Sequence, residues 1–113
     1  MLVVDDEAAF RAVARDLLEH GGFDVVGEAG DAAAALRSER ELRPDVVLLD
    51  VRLPDGTGLD VALEISGHEA PPSVVLLSTA EYGYVAPGCG ARGFLLKNDL
   101  TAEALRCVLS GTR

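Results

Sequence analysis

The residues able to do chemistry in this chain lie directly after short apolar runs. Asp5-Asp6-Glu7 follows Met1–Val4, Asp50 follows Val46–Leu49, Ser78-Thr79 follows Val74–Leu77, and Lys97 follows Gly93–Leu96. Three aspartates gathered at one edge in a low dielectric repel one another unless a cation or a proton compensates, and hard oxygen donors of this kind suit Mg²⁺ or Mn²⁺. Simple capping of the next helix by Asp5 and Asp6 is the competing reading, and a third aspartate at position 50 weighs against it. Lys97 is the only lysine in the chain, beside nine arginines. A compact point charge at the end of a buried strand pairs with a carboxylate or a phosphoryl oxygen, and Ser78 adds a neutral donor. A carboxylate nucleophile, a divalent ion, a cation and a hydroxyl together suit phosphoryl transfer to an aspartate, driven by positioning and electrostatics rather than acid–base catalysis. No catalytic histidine is needed, and His20 and His68, at helix ends, are read as solvated.

The elements that must position these residues follow from the same runs. Met1–Val4, Phe23–Val26, Val46–Leu49, Val74–Leu77 and Gly93–Leu96 read as strands whose apolar residues are consecutive, which implies burial on both faces of a parallel sheet. Phe10, Val13, Ala14, Leu17 and Leu18 form one helical stripe ended by Gly21-Gly22. Asp31 is placed to cap an alanine-rich helix through about Glu41, stopped before Pro44. Leu59, Ala62 and Leu63 mark a third helix, and a last one follows Thr101, with Ala104, Cys107 and Val108 inward. Thr79–Arg92 contains Gly83, Pro87, Gly88 and Gly90, which predicts a short or irregular fourth helix. The pattern is (βα)₅ in one domain, 1–113, with right-handed crossovers giving a doubly wound α/β sheet. Ligands of such sheets bind beyond the carboxyl ends of the strands, where the reactive residues fall.

Composition narrows the function classes. A chain of 11.8 kDa folds from roughly 17,000 Å² of accessible surface to roughly 5,900 Å², enough for one core. A net charge of −9 repels nucleic-acid backbones and anionic lipid alike, so no direct nucleic-acid binding is expected. No run approaches the length of a membrane span, and no secretory signal precedes the first strand. The expected location is the cytoplasm. Cys89 and Cys107 lack the spacing of a zinc site or disulfide framework and are read as small, partly buried hydrophobes.

Taken in order, Val3-Val4-Asp5-Asp6-Glu7, Val46-Val47-Leu48-Leu49-Asp50-Val51-Arg52-Leu53-Pro54-Asp55-Gly56-Thr57-Gly58, Val75-Leu76-Leu77-Ser78 and Gly90-Ala91-Arg92-Gly93-Phe94-Leu95-Leu96-Lys97 resemble the receiver domain of bacterial two-component response regulators over essentially the whole chain. The Leu-Leu-Lys-Asn ending at Asn98 resembles receivers of LuxR-type regulators. The resemblance implies a flavodoxin-like sheet of strand order 2-1-3-4-5. It also implies that Asp50 accepts a phosphoryl group from a sensor histidine kinase. Mg²⁺ would be held by Asp6, Asp50 and the backbone carbonyl of Arg52, with Asp5 acting largely through water. Lys97 and Ser78 would bind phosphoryl oxygens, Ser78 and Phe94 forming the switch pair and Thr79 being the alternative hydroxyl. Homodimerisation on phosphorylation, and control of transcription through an effector outside this chain, are further implications. Such a domain is a phospho-accepting regulator rather than an enzyme.

Three other readings compete. Asp55-Gly56-Thr57 superficially suggests an aspartate-nucleophile phosphatase, but that motif needs an aspartate where this chain has Leu53. A flavin binder on the same fold would need a Ser/Thr/Gly-rich loop in place of Asp5-Asp6-Glu7-Ala8-Ala9. A phosphorylation-independent dimerisation or scaffold module is the remaining alternative, and it has no physical need for so costly a cluster of charges.

Overall fold

The apolar runs assemble into a five-stranded, all-parallel sheet in the computed structural model, which describes residues 1–79 and 90–111. The strands are β1 (Leu2–Val4), β2 (Gly27–Ala29), β3 (Val46–Asp50), β6 (Ser73–Ser78) and β7 (Gly93–Leu96), in the order β2-β1-β3-β6-β7. A small antiparallel ribbon, β4 (Arg52–Leu53) with β5 (Gly56–Thr57), follows β3. With the ribbon set aside the order is the expected 2-1-3-4-5. Four α-helices occur among the described residues: α1 (Ala8–His20), α2 (Ala32–Leu42), α3 (Gly58–Ser66) and α4 (Ala102–Ser110).

Alternation along each strand sorts the core into two layers. Leu2, Val4, Val47, Leu49, Val74 and Leu76 pack with residues of α2 and α3 such as Ala35, Val61 and Ile65. Met1, Val3, Leu48, Val75 and Leu77 pack on the opposite face with Ala14, Leu18 and Leu105 of α1 and α4. The consecutive apolar runs are therefore explained by helices on both faces, as expected of a buried parallel sheet.

Several boundaries and faces differ from the sequence reading. The second strand lies at Gly27–Ala29 rather than Phe23–Val26. Val25 is buried and Phe23 packs against the same layer as α1 and α4, while Val26 is exposed, so two of the three apolar side chains of this run are placed before the ladder begins. Val26 N–H donates to the Met1 carbonyl at 2.8 Å, and pairing then runs from Leu2↔Gly27 to Val4↔Ala29. Val13 is 62% exposed and Leu63 55% exposed. Each sits beside a buried residue, Ala14 or Ala62, and one residue is about 100° around a helix. On α4 the buried residue is Leu105, while Cys107 is exposed because two residues on is about 200° around. Cys89 lies outside the described residues. So does most of the expected fourth-helix segment, residues 80–89.

Asp31 caps α2 as expected, its Oδ1 accepting from Ala34 N–H at 2.7 Å. His20 is exposed, but His68 is not simply solvated. Its Nδ1 lies 2.6 Å from Oε1 of Glu39, a carboxylate on α2 that is itself buried. The pair ties the end of α2 to the turn after α3. Replacing His68 by Ala leaves a buried carboxylate without its partner, and a loss of about 2 kcal/mol is expected. Urea unfolding of the single variants and of Glu39→Ala/His68→Ala checks this, the double variant losing less than the sum of the two.

Candidate functional site

The carboxyl ends of the central strands converge the charged residues at one edge. Asp5, Asp50 and Lys97 each lie two positions beyond a strand residue packed on the α1/α4 face, namely Val3, Leu48 and Leu95. The pleat therefore carries all three on that same face. Asp5 is fully buried and Asp50 is 6% exposed. Asp6, one residue further along the turn, is exposed. One oxygen from each of the three carboxylates falls within a 4.8 Å cluster.

Lys97 is the cation that makes this arrangement tolerable. Its Nζ contacts Oδ2 of Asp5 and lies 3.3 Å from Oδ2 of Asp50, with Glu7 at 3.9 Å. The ammonium also sits 4.6 Å from the centre of the Phe10 ring on α1, a cation–π contact that shields it from water. Burial pulls the Lys97 pKa down, but the contacts with Asp5 and Asp50 outweigh it and hold the ammonium above the ordinary lysine value. Asp50 moves up from the usual carboxylate range, first through burial and then through Asp5, while Lys97 and the Arg52 N–H act in the opposite direction. One cation thus compensates Asp50 only in part.

Backbone groups complete the frame. Asp5 Oδ1 accepts from Glu7 N–H at 2.9 Å, and its Oδ2 is held by the Lys97 ammonium. Arg52 N–H donates to Asp50 Oδ1 at 3.3 Å. Gly58 packs so closely on the carbonyl of Asp50 that a Cβ there would collide with it. Its N–H donates to the Val51 carbonyl at 2.7 Å.

Ser78 ends β6, is 3% exposed and pairs in register with Leu96, next to Lys97. Thr79, the alternative hydroxyl, is exposed. Phe94 pairs with Leu76 and packs in the α2/α3 layer. Ser78 continues the alternation from Leu76, so hydroxyl and aromatic share one face and the charges share the other.

Two contributors were not found by sequence reading. Phe10 was read as core alone, and its place over Lys97 is visible only once α1 is docked. Asp55 figures in the sequence only within the receiver-like run and the phosphatase-like motif, with no role of its own. Its Oδ1 accepts from Ala32 N–H at 2.7 Å and its Oδ2 from Ala33 N–H at 3.1 Å, which holds its carboxyl below the ordinary range. The partners are 23 and 22 residues away, so no local signal marks them.

A three-carboxylate cluster of hard oxygen donors, two of the carboxylates buried and sharing one ammonium, fits a small divalent cation such as Mg²⁺. Fold and site together define a doubly wound α/β domain with an acidic edge at its carboxyl end. The chain belongs to the response regulator receiver domain family, whose model matches residues 1–108. It is similar to the transcriptional regulatory protein NarL of Mycobacterium tuberculosis, 42% identical over 113 residues that take in 96% of this chain and 52% of that protein. The chemotaxis protein CheY of Thermotoga maritima is 31% identical over 100 residues, 86% of this chain and 83% of CheY. The chain spans about half the length of the first curated relatives it matches. Among solved structures, the signal receiver domain of NarL from Mycobacterium tuberculosis superposes with a TM-score of 0.81 at 37% identity, covering 97% of this chain and 92% of that one. A LuxR-family response regulator from Aurantimonas sp. gives 0.86 at 29% identity, covering 99% and 85%. Receiver domains are regulatory and bind Mg²⁺ at an acidic pocket, and in this chain Asp5, Asp6 and Asp50 form an acidic cluster. No helix among the described residues is long and apolar enough to cross a membrane.

The electrostatics fix the signs of two substitutions in the metal-free protein. Because the Asp50 pKa is raised on folding, its charged form weakens the fold, an effect absent below the ordinary value of 3.8 and growing as pH rises through the folded-state value. At neutral pH with chelator, Asp50→Asn is expected to gain about 1 kcal/mol, a gain that vanishes in acid. Lys97→Met leaves the carboxylates uncompensated and is expected to lose about 3 kcal/mol. Denaturant unfolding at several pH values measures both.

Proposed function

We propose that this chain is a phospho-accepting switch in which Asp50 takes a phosphoryl group from a phosphohistidine on a sensor histidine kinase. The observation that carries this reading is the contact of Lys97 with both Asp5 and Asp50 inside the three-carboxylate cluster. In the transfer, an Asp50 carboxylate oxygen attacks phosphorus in line, an O–P bond forms, the N–P bond breaks, and the imidazole leaves and takes up a proton. Asp6, Asp50 and the Arg52 carbonyl would hold Mg²⁺, with Asp5 contributing through water. The bound ion supplies positive charge against the transferred oxygens. Lys97, already within 3.3 Å of Asp50, supplies the second positive charge and exchanges a carboxylate oxygen for a phosphoryl oxygen. Ser78 donates from the opposite face, and Phe94, on that same face, follows it inward. Thr79 remains the alternative hydroxyl.

Phosphorylation adds charge and acceptor oxygens where Lys97 and Ser78 meet, and their re-pairing biases a surface that a partner reads. The similarity to transcriptional regulators about twice as long supports an output domain beyond this chain and transcription as the output, with dimerisation on phosphorylation as one route. The acidic net charge of −9 supports a partner-mediated output rather than nucleic-acid contact by this domain. A cytoplasmic location accords with a donor inside the cell.

Intact-mass measurement after incubation with acetyl phosphate tests the proposal. A single Mg²⁺-dependent phosphoryl adduct is expected, absent from Asp50→Ala and reduced about tenfold or more in rate by Lys97→Ala. An adduct of equal yield in Asp50→Ala overturns the acceptor assignment, and no adduct in folded protein favours a phosphorylation-independent module.

A further inference from the structure

We infer that Asp55 is a positioning residue for Mg²⁺, acting through the hairpin it pins to the amino end of α2. The inference rests on the reading of the Arg52 carbonyl as a metal ligand. Arg52 opens the β4–β5 ribbon, whose register pairs Arg52 with Thr57 and Leu53 with Gly56. Pro54 and Asp55 form its turn, beyond the end of the sheet. Leu53 anchors the ribbon from below by burial in the α2/α3 layer, and Asp55 anchors its tip. The carboxylate accepts from two successive free N–H groups of α2, those of Ala32 and Ala33, at 2.7 and 3.1 Å. Asp31 already accepts from Ala34 at the same helix end, so Asp55 is not needed to begin the helix. What Asp55 adds is a bond across 23 residues of chain, between the ribbon that carries the Arg52 carbonyl and the rigid body of α2.

A backbone carbonyl is a weak ligand compared with a carboxylate, and it contributes only if its direction is fixed before the ion arrives. The ribbon is short and its Arg52, Pro54, Asp55, Gly56 and Thr57 are all exposed. One buried leucine and the two hydrogen bonds at the tip hold the ribbon on one side of Arg52, and β3, ending at Asp50, holds the chain on the other. Removal of the tip contact frees the carbonyl without touching any of the three carboxylates.

The test uses the full chain and Mg²⁺ alone, titrated by calorimetry and followed by amide chemical shifts. Asp55→Ala is expected to weaken Mg²⁺ affinity about tenfold, the lower end of the range for groups that orient metal ligands. Asp31→Ala removes a cap from the same helix end and is expected to leave the affinity unchanged, which separates positioning from general helix stability. Asp55→Asn keeps one acceptor oxygen and is expected to fall between wild type and Asp55→Ala; it also serves if the alanine variant does not fold. Equal losses in Asp31→Ala and Asp55→Ala, or wild-type affinity in both Asp55 variants, overturn the inference. If wild type itself shows no Mg²⁺-dependent shifts, the acceptor-site reading fails and the inference fails with it, whereas wild-type binding weakened by Asp6→Ala and not by Asp55→Ala defeats the inference alone.

Discussion

A single ammonium group holds two buried carboxylates at the end of a parallel sheet, and the surrounding structure is arranged around that imbalance. Asp5 and Asp50 lie on adjacent strands, β1 and β3 being neighbours, so their repulsion is built into the strand order. Lys97 must reach them from the far edge strand, across β6. It does so because β7 ends where β6 ends, Ser78 pairing with Leu96, and because Phe10 covers the ammonium from α1. The positive charge is thus held between a helix and three strands. Partial compensation leaves Asp50 receptive to a further cation and reluctant to be charged without one. A site fully neutralised by the protein would have no electrostatic reason to bind metal or phosphoryl oxygens.

The same edge is served from two faces. Charge gathers on the α1/α4 side, while the hydroxyl and aromatic residues occupy the α2/α3 side. A group attached to Asp50 can therefore be recognised by Lys97 from one side and Ser78 from the other. The layer containing Phe94 also contains Leu53 and Ala35, so movement in response to the hydroxyl would be felt by the packing that supports the β4–β5 ribbon and α2.

Much of this was legible in the sequence because it depends on local pattern. Consecutive apolar runs gave the buried strands, the residue after each run gave the reactive edge, and Asp31 and Gly21 marked helix ends where the structure has them. The failures share a cause. Phe23 and Val25 are apolar because they pack in the α1/α4 layer, not because they pair, and hydropathy does not distinguish the two. Val13, Leu63 and Cys107 were turned the wrong way because a helix face is only a few residues wide and tertiary docking sets its centre. His68 with Glu39, Phe10 with Lys97 and Asp55 with α2 are contacts between segments distant in the chain, and one sequence alone carries no trace of them.

Gly58 has a consequence for how this site can be moved or redesigned. The first turn of α3 rests against the carbonyl of Asp50, with no room for a side chain between them, and the Gly58 N–H closes the loop back onto Val51. Asp50 and the start of α3 are in effect one rigid joint. Grafting Asp50 onto another α/β scaffold would therefore fail as a point change: the segment Asp50–Gly58 would have to travel as a block, together with a strand positioned to deliver a lysine from two places away. The transferable unit is a corner of backbone, and the aspartate is the side chain it presents.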